Sequence, residues 1–181
     1  MKGKNQMSKI LIVFGGLPGT GKSTISKRLI EKVPACYLRI DVIEQALKSD
    51  SRIENDVGIN GYIVAYELAR ANLKLGQSVI SDSVNPLFIT RNAWRNIAIE
   101  TNSPLLEIEV ICTNNEEHRK RIETREADIL GLKLPTWEQV LNREYEPWDI
   151  ERLIVDTAKE NIESILQKIQ LAIDKIKIKP K

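Results

Sequence analysis

The stretch Gly15–Thr24 reads G-G-L-P-G-T-G-K-S-T and follows directly on the apolar run Ile10–Phe14. Gly16, Gly21, Lys22 and Ser23 fit the spacing of a phosphate-binding loop: Gly, four residues, then Gly-Lys-Ser/Thr. A triphosphate is densely anionic, and successive backbone amides opening a helix N-terminus offer it donors and a partial positive charge. Side chains would block that approach. Gly16, Gly19 and Gly21, with Thr20 between the last two, let the main chain curl towards the phosphates, while Pro18 limits the loop's freedom. The pattern sends Lys22 to the β- and γ-phosphates, the Ser23 hydroxyl to Mg²⁺ and the Thr24 hydroxyl to the α-phosphate. A glycine-rich turn with an incidental lysine is the bland alternative, and the strand before and helix after argue against it.

The rest of the chain reads as repeated strand and helix. Ile10–Phe14 is a buried first strand, since a short continuous apolar run ends there in glycine. A helix over Ser23–Lys32, closed by Pro34, leads to a second strand, Cys36–Ile40, which places Asp41 at its carboxyl end. Ligands of open parallel sheets collect at that end of the strands, so topology brings Asp41 to the site. A short helix at Val42–Lys48 and a polar loop at Ser49–Gly58 precede a helix capped by Asn60 and ended by Gly76. Ser78–Ser81 is a third strand with Asp82 at its tip. Thr90 caps a helix through Glu100, Leu105–Cys112 is a fourth strand, and a helix runs from Asn114 or Asn115 to Glu126. Ala127–Pro135 links it to a helix starting near Thr136 and stopped by Pro147. Arg152–Asp156 is the fifth strand. A last helix from Asn161 puts Ile162, Ile165, Leu166, Ile169, Ile173 and Ile176 at helical spacing.

Composition narrows the partners. The 181 residues suit a single α/β domain over 9–181, with Met1–Ser8 as a polar tail and Met7 itself available as a start. A formal net charge of +2 provides no broad basic surface and argues against nucleic acid. Cys36 and Cys112 lie far apart without metal-ligand spacing, which suits reduced thiols in a cytoplasm. No apolar run is long enough to span a membrane.

Four motifs in order give a more specific reading: G-L-P-G-T-G-K-S-T at 16–24, L-R-I-D at 38–41, V-I-S-D-S-V-N at 79–85 and H-R-K-R-I-E-T-R at 118–125. From Lys9 to Asn161 the chain resembles the small P-loop kinases of the AAA_33-like group, relatives of polynucleotide kinase, chloramphenicol phosphotransferase and adenylylsulfate kinase. The resemblance implies a three-layer P-loop sandwich, a five-stranded parallel sheet ordered 2-3-1-4-5, a small lid, and transfer of the γ-phosphoryl group of Mg-ATP to a hydroxyl. Asp41 is then the candidate general base, since an attacking alcohol must lose its proton. Its position also permits a helix N-cap. Asp82 resembles the aspartate that holds Mg²⁺, although Ser81 and Ser83 make its strand less apolar than usual, and a turn-capping role is the alternative. Arg121 and Arg125, four apart and able to share a helix face, are the arginines that close over the phosphoryl group. Arg119 either joins this lid set or belongs to a solvated, ion-paired surface, and His118 reads as exposed. By the same resemblance Asp156-Thr157 lies near the adenine.

The acceptor expected is a small molecule carrying a hydroxyl, and the enzyme a monomer or homodimer. Where relatives carry arginine three residues after the aspartate, this chain has Glu44, so acceptor recognition does not carry across and an anionic acceptor such as a 5′-hydroxyl nucleic acid is disfavoured; Arg39 is available to compensate, unless strand alternation points it elsewhere. Arg52, Arg91 and Arg95 are further residues able to read a charged group, although isolated arginines on helices and loops are usually solvated surface residues. Trp137 reads as packing, and Tyr145-Glu-Pro-Trp148 resembles a recurring element of the group. The alternatives are a polynucleotide 5′-hydroxyl kinase, which needs a basic cleft near Asp41, and a nucleotide-dependent switch without an acceptor.

Overall fold

A continuous apolar run is buried on both faces only if helices cover both sides of its sheet, and Leu11–Gly15 (β1) is such a strand, buried at every position. The structure is a computed structural model that describes residues 9–49 and 59–178. After β1 come α1 (Lys22–Ile30), β2 (Cys36–Arg39), α2 (Ile40–Lys48), α3 (Asn60–Lys74) and β3 (Val79–Asp82). Then follow α4 (Phe88–Glu100), β4 (Leu105–Ile111), α5 (Asn115–Thr124), α6 (Trp137–Leu141), β5 (Leu153–Asp156) and α7 (Ile162–Ile178). Among the described residues the five strands pair in parallel in the order β2-β3-β1-β4-β5, as expected from the sequence.

The period of two along β1 divides the core. Ile10, Ile12 and Phe14 pack with Ile25 and Leu29 of α1 and with Ile165, Leu166, Ile169 and Ile173 of α7. Leu11 and Val13 turn the other way, onto Ala65, Ala69 and Leu73 of α3 and Trp94 and Ile97 of α4. Three layers result, with the carboxyl ends of all five strands on one rim. No helix among the described residues is long and apolar enough to cross a membrane.

Several expected helix ends differ. Asn60 is the first residue of α3 rather than its cap, and the cap position, Ile59, makes no side-chain capping bond. Thr90 lies inside α4, its hydroxyl donating back to the Leu87 carbonyl (2.8 Å). The helix after β4 ends at Thr124, and α6 stops at Leu141, well short of Pro147. Asn114 and Thr136 do cap, accepting from the amides of Glu117 and Gln139, and Gln139 answers in a reciprocal capping box. Arg52, most of the Ser49–Gly58 loop and Met1–Ser8 lie outside the described residues.

Candidate active site

Beyond β1 the chain leaves the sheet plane and returns as α1, and the turn is possible only with glycine at its tightest point. Gly16 has φ +135°, and a Cβ there would collide with the Val110 carbonyl oxygen of β4. Replacing Gly16 with Ala is expected to cost about 1–3 kcal/mol, from a backbone unsuited to L side chains and a clash with main chain. A chemical-denaturation midpoint unchanged from wild type would contradict this.

The curled loop is held from outside. Asn85, three residues past the end of β3 at Asp82, donates its side-chain amide to the Phe14 carbonyl (2.7 Å), and Gly16 donates to the Val84 carbonyl (3.0 Å). Thr20 is buried, its hydroxyl on the Leu17 carbonyl (2.9 Å), and its own carbonyl accepts the Thr157 hydroxyl (2.9 Å) from the end of β5. His118 was expected at the surface and is instead buried. Its Nε2 donates to the Pro18 carbonyl (2.7 Å), and Trp137 packs edge-on against its ring at 5.1 Å. A lone histidine in a run of charged residues gave no sign of a partner 100 positions away.

Above the loop opens a cleft of about 1020 Å³. Gly19, Gly21, Lys22, Ser23 and Thr24 line it from α1 and the loop, with Asp41, Asp82 and Thr157 from at or just past other strand ends, and Arg121 and Arg125 from α5 and its C-terminal cap. Most of the residues selected from the sequence therefore face one space. Lys22 is buried and donates to the Leu17 carbonyl (2.8 Å). Burial pulls its pKa down to about 8, and the carboxylates of Asp82 and Asp41 oppose that pull. Asp82 closes β3 in register with Arg39, and its Oδ2 accepts the Tyr37 hydroxyl at 2.6 Å. Burial and that carboxylate push the Tyr37 phenol well above its ordinary range.

Asp41 belongs to the first turn of α2, one residue in, and is not its N-cap; Arg39 occupies that position. The carboxylate is half-exposed to the cleft, with Arg39 Nη2 at 3.6 Å. The two arginines do not share a helix face, because α5 ends before Arg125, which is extended. Arg121 donates to the Thr157 hydroxyl (2.7 Å) and carbonyl (3.1 Å) and pairs with Glu117, so it braces the end of β5. Arg125 lies in the next segment, and burial holds its pKa below the usual arginine range, partly offset by Asp41. Arg119 is exposed and paired with Glu123, which favours the solvated one of its two readings.

Arg91 and Arg95 do not read an acceptor. Arg91 is wholly buried, donates to the carbonyls of Glu146 and Pro147 and lies 4.8 Å over the Trp148 ring. Arg95 is spent on Glu107 and Asp149. The Tyr145-to-Trp148 stretch is thus a strap: Trp148 donates to the Tyr145 hydroxyl, which donates to Glu109. Its ring packs where a side chain on Gly15 would stand.

A phosphate chain fits this site. No side chain among the described residues caps the N-terminus of α1, Lys22 is a buried cation whose hydrogen bond is to a carbonyl and not to a carboxylate, and Arg125 Nε is buried without a hydrogen-bond partner among them. A divalent ion fits only as part of such a complex. Ser23 and Asp82 face the cleft, but the described residues hold no cluster of three His, Cys, Asp or Glu that would bind a metal alone.

Comparison with known proteins agrees with this arrangement. A family model described as an AAA domain, AAA_33, matches residues 11–146. A "Probable adenylyl-sulfate kinase" of Aeropyrum pernix is 26% identical over 159 residues, covering 85% of this chain and 86% of that protein. The APS kinase CysC of Mycobacterium tuberculosis, solved in complex with AMPPNP and APS, has a TM-score of 0.70 at 16% identity, over 93% of this chain and 98% of that one. A gluconokinase from Sinorhizobium meliloti 1021 has a TM-score of 0.66 at 14% identity, over 93% and 94% of the two chains. The two structural likenesses bear on the fold.

Proposed function

The chain belongs to the AAA_33 family, and on that premise we propose that it is a small P-loop kinase that transfers the γ-phosphoryl group of Mg-ATP to a hydroxyl of a small molecule. The observation that carries this reading is the meeting of Lys22, Asp82 and Asp41 around one cleft, close enough that both carboxylates act on the lysine's protonation.

The amides of the Gly16–Thr24 loop and Lys22 bind the phosphates, and the Ser23 and Thr24 hydroxyls lie on the same wall. Ser23 and Asp82 hold Mg²⁺, with Tyr37 fixing the Asp82 carboxylate from behind. The ion supplies charge neutralisation on the phosphate oxygens. Asp41 accepts the proton of the attacking hydroxyl, which makes that oxygen a competent nucleophile as the bond to phosphorus forms. Arg125 neutralises charge that develops on the transferred group, and the segment Ala127–Pro135 acts as the lid, excluding water that would otherwise take the acceptor's place. Arg121 keeps Thr157 seated on the loop, at the nucleotide end of the cleft.

The relatives' printed names suggest where to begin with acceptors. Radiolabelled ATP is offered with a panel of hydroxylated metabolites that includes adenylyl sulfate and gluconate, and both ADP and labelled product are followed. The reading expects label on an acceptor. ADP release that no compound accelerates, and that survives Asp41→Asn, would replace it with a hydrolytic switch.

Lys22 adds a second expectation. At about pH 8–9 the free protein carries Lys22 partly neutral, and phosphates beside it restore the charged form, so ATP binding takes up protons there. Well below pH 8 the lysine is already charged and the uptake vanishes. Titration calorimetry in buffers of different ionisation enthalpy measures this directly. Proton release, or equal uptake by Lys22→Met, would count against Lys22 as the phosphate ligand.

A further inference from the structure

Asp128 lies in the segment that follows α5. Its Oδ2 is 2.7 Å from Lys27 Nζ of α1 and 2.6 Å from Arg39 Nη1 at the end of β2. Arg125 stands close enough that Asp128, Asp41 and Arg39 all bear on its charge. Two cations therefore contact one carboxylate, and Arg125 lines the same cleft. Arg39 is the most enclosed of the paired groups, with 10% of its side chain exposed, whereas Asp128 and Lys27 are each about half exposed.

Donor capacity exceeds what that carboxylate uses. The Nε atoms of Arg39 and Arg125 are both buried and have no hydrogen-bond partner among the described residues. A guanidinium is suited to bidentate contact with a group of several oxygens, and leaving a buried N–H unmade is costly. The Lys27 pair with Asp128 is half-exposed and screened, so giving it up costs little, whereas the enclosed Arg39 guanidinium needs another anion in place of Asp128 when that carboxylate leaves. Arg39 is also 3.6 Å from Asp41, so an anion bound by it would sit beside the candidate base.

We propose that Arg39 anchors an oxyanion subsite that reads a phosphate, sulfate or carboxylate group on the acceptor, and that Asp128 is an internal carboxylate occupying this subsite until the acceptor displaces it. The inference rests on the kinase reading and narrows it, since the acceptor is then an alcohol carrying a negative group near its reacting hydroxyl. It assigns specificity to Arg39, the residue at the end of β2, rather than to the position of Glu44.

The competing role for Asp128, a permanent latch that organises the segment, predicts effects of opposite sign. Protein saturated with Mg and AMPPNP, so that the phosphate loop is filled, is titrated with inorganic sulfate at constant ionic strength. If Asp128 competes with the anion, Asp128→Asn binds sulfate about tenfold more tightly, while Arg39→Gln weakens binding at least tenfold and Arg39→Lys partly restores it. Sulfate binding that is unchanged or weakened in Asp128→Asn overturns the proposal; that variant alters only an exposed side chain and does not threaten the fold. Nucleotide-loaded protein that ignores sulfate overturns it as well, whereas protein that takes up no AMPPNP refutes the kinase reading itself. With the acceptor found in the screen, sulfate is expected to raise KM and leave kcat unchanged. An effect on kcat alone would assign the subsite to a free ion acting as an effector, and the acceptor role would fall.

Discussion

Replacing Asp41 with Asn leaves nucleotide affinity within about twofold and lowers turnover by roughly 10²–10⁴, the span that a positioned general base contributes. The amide keeps the size and polarity of the carboxylate but cannot take a proton from the acceptor hydroxyl. Folding is little affected, because Asp41 does not cap α2; it lies within the first turn, where a negative charge is worth about 0.3–1 kcal/mol against the helix dipole. Single-turnover transfer from labelled ATP, read beside AMPPNP binding, separates chemistry from binding. Undiminished transfer would remove Asp41 from the reaction, and equal losses in binding and turnover would make it a nucleotide ligand.

Lys22→Met is expected to move two measurements in opposite directions. Nucleotide affinity falls by about two orders of magnitude or more, since a charge-assisted contact to the phosphates is lost from a buried position. Stability of the free protein rises by about 1–3 kcal/mol, because the depressed pKa of Lys22 records a penalty for holding a charge away from water, and methionine fills similar space without it. Denaturant unfolding without ligand checks the second effect, and AMPPNP titration the first. A variant that is both less stable and fully competent for nucleotide would mean that Lys22 is structural.

What could be read in advance follows the range of the forces involved. The succession of strands and helices and the loop were legible because both are local, a continuous apolar strand, glycines at the turn and a helix pattern leaving few arrangements, whereas the strand order followed from the resemblance to small P-loop kinases. Asp41 and Asp82 were found by the same route, since strand tips converge on one rim whatever the side chains beyond them do. Arg91 was misread because a charged residue on a helix is usually solvated, and only the fold brings the carbonyls of residues 146 and 147 to receive it. His118 failed for the same reason. Pairing Arg121 with Arg125 depended on where α5 ends, and one residue of difference sends Arg125 into the cleft segment while Arg121 braces Thr157. Arg39 and Asp128, 89 positions apart, had no common signal, although strand alternation does place Arg39 opposite Asp82 on the rim.

The central claim is geometric, that the loop around Lys22 and the carboxylate of Asp41 address the two sides of one phosphoryl group. A crystal structure with Mg and AMPPNP tests it most directly. The γ-phosphorus should lie roughly 5–6 Å from the nearer Asp41 oxygen, room for an attacking oxygen about 3–3.5 Å from phosphorus and about 2.6–3.2 Å from its base. Phosphates seated away from the Gly16–Thr24 amides, or Asp41 turned out of the closed cleft, would contradict the account.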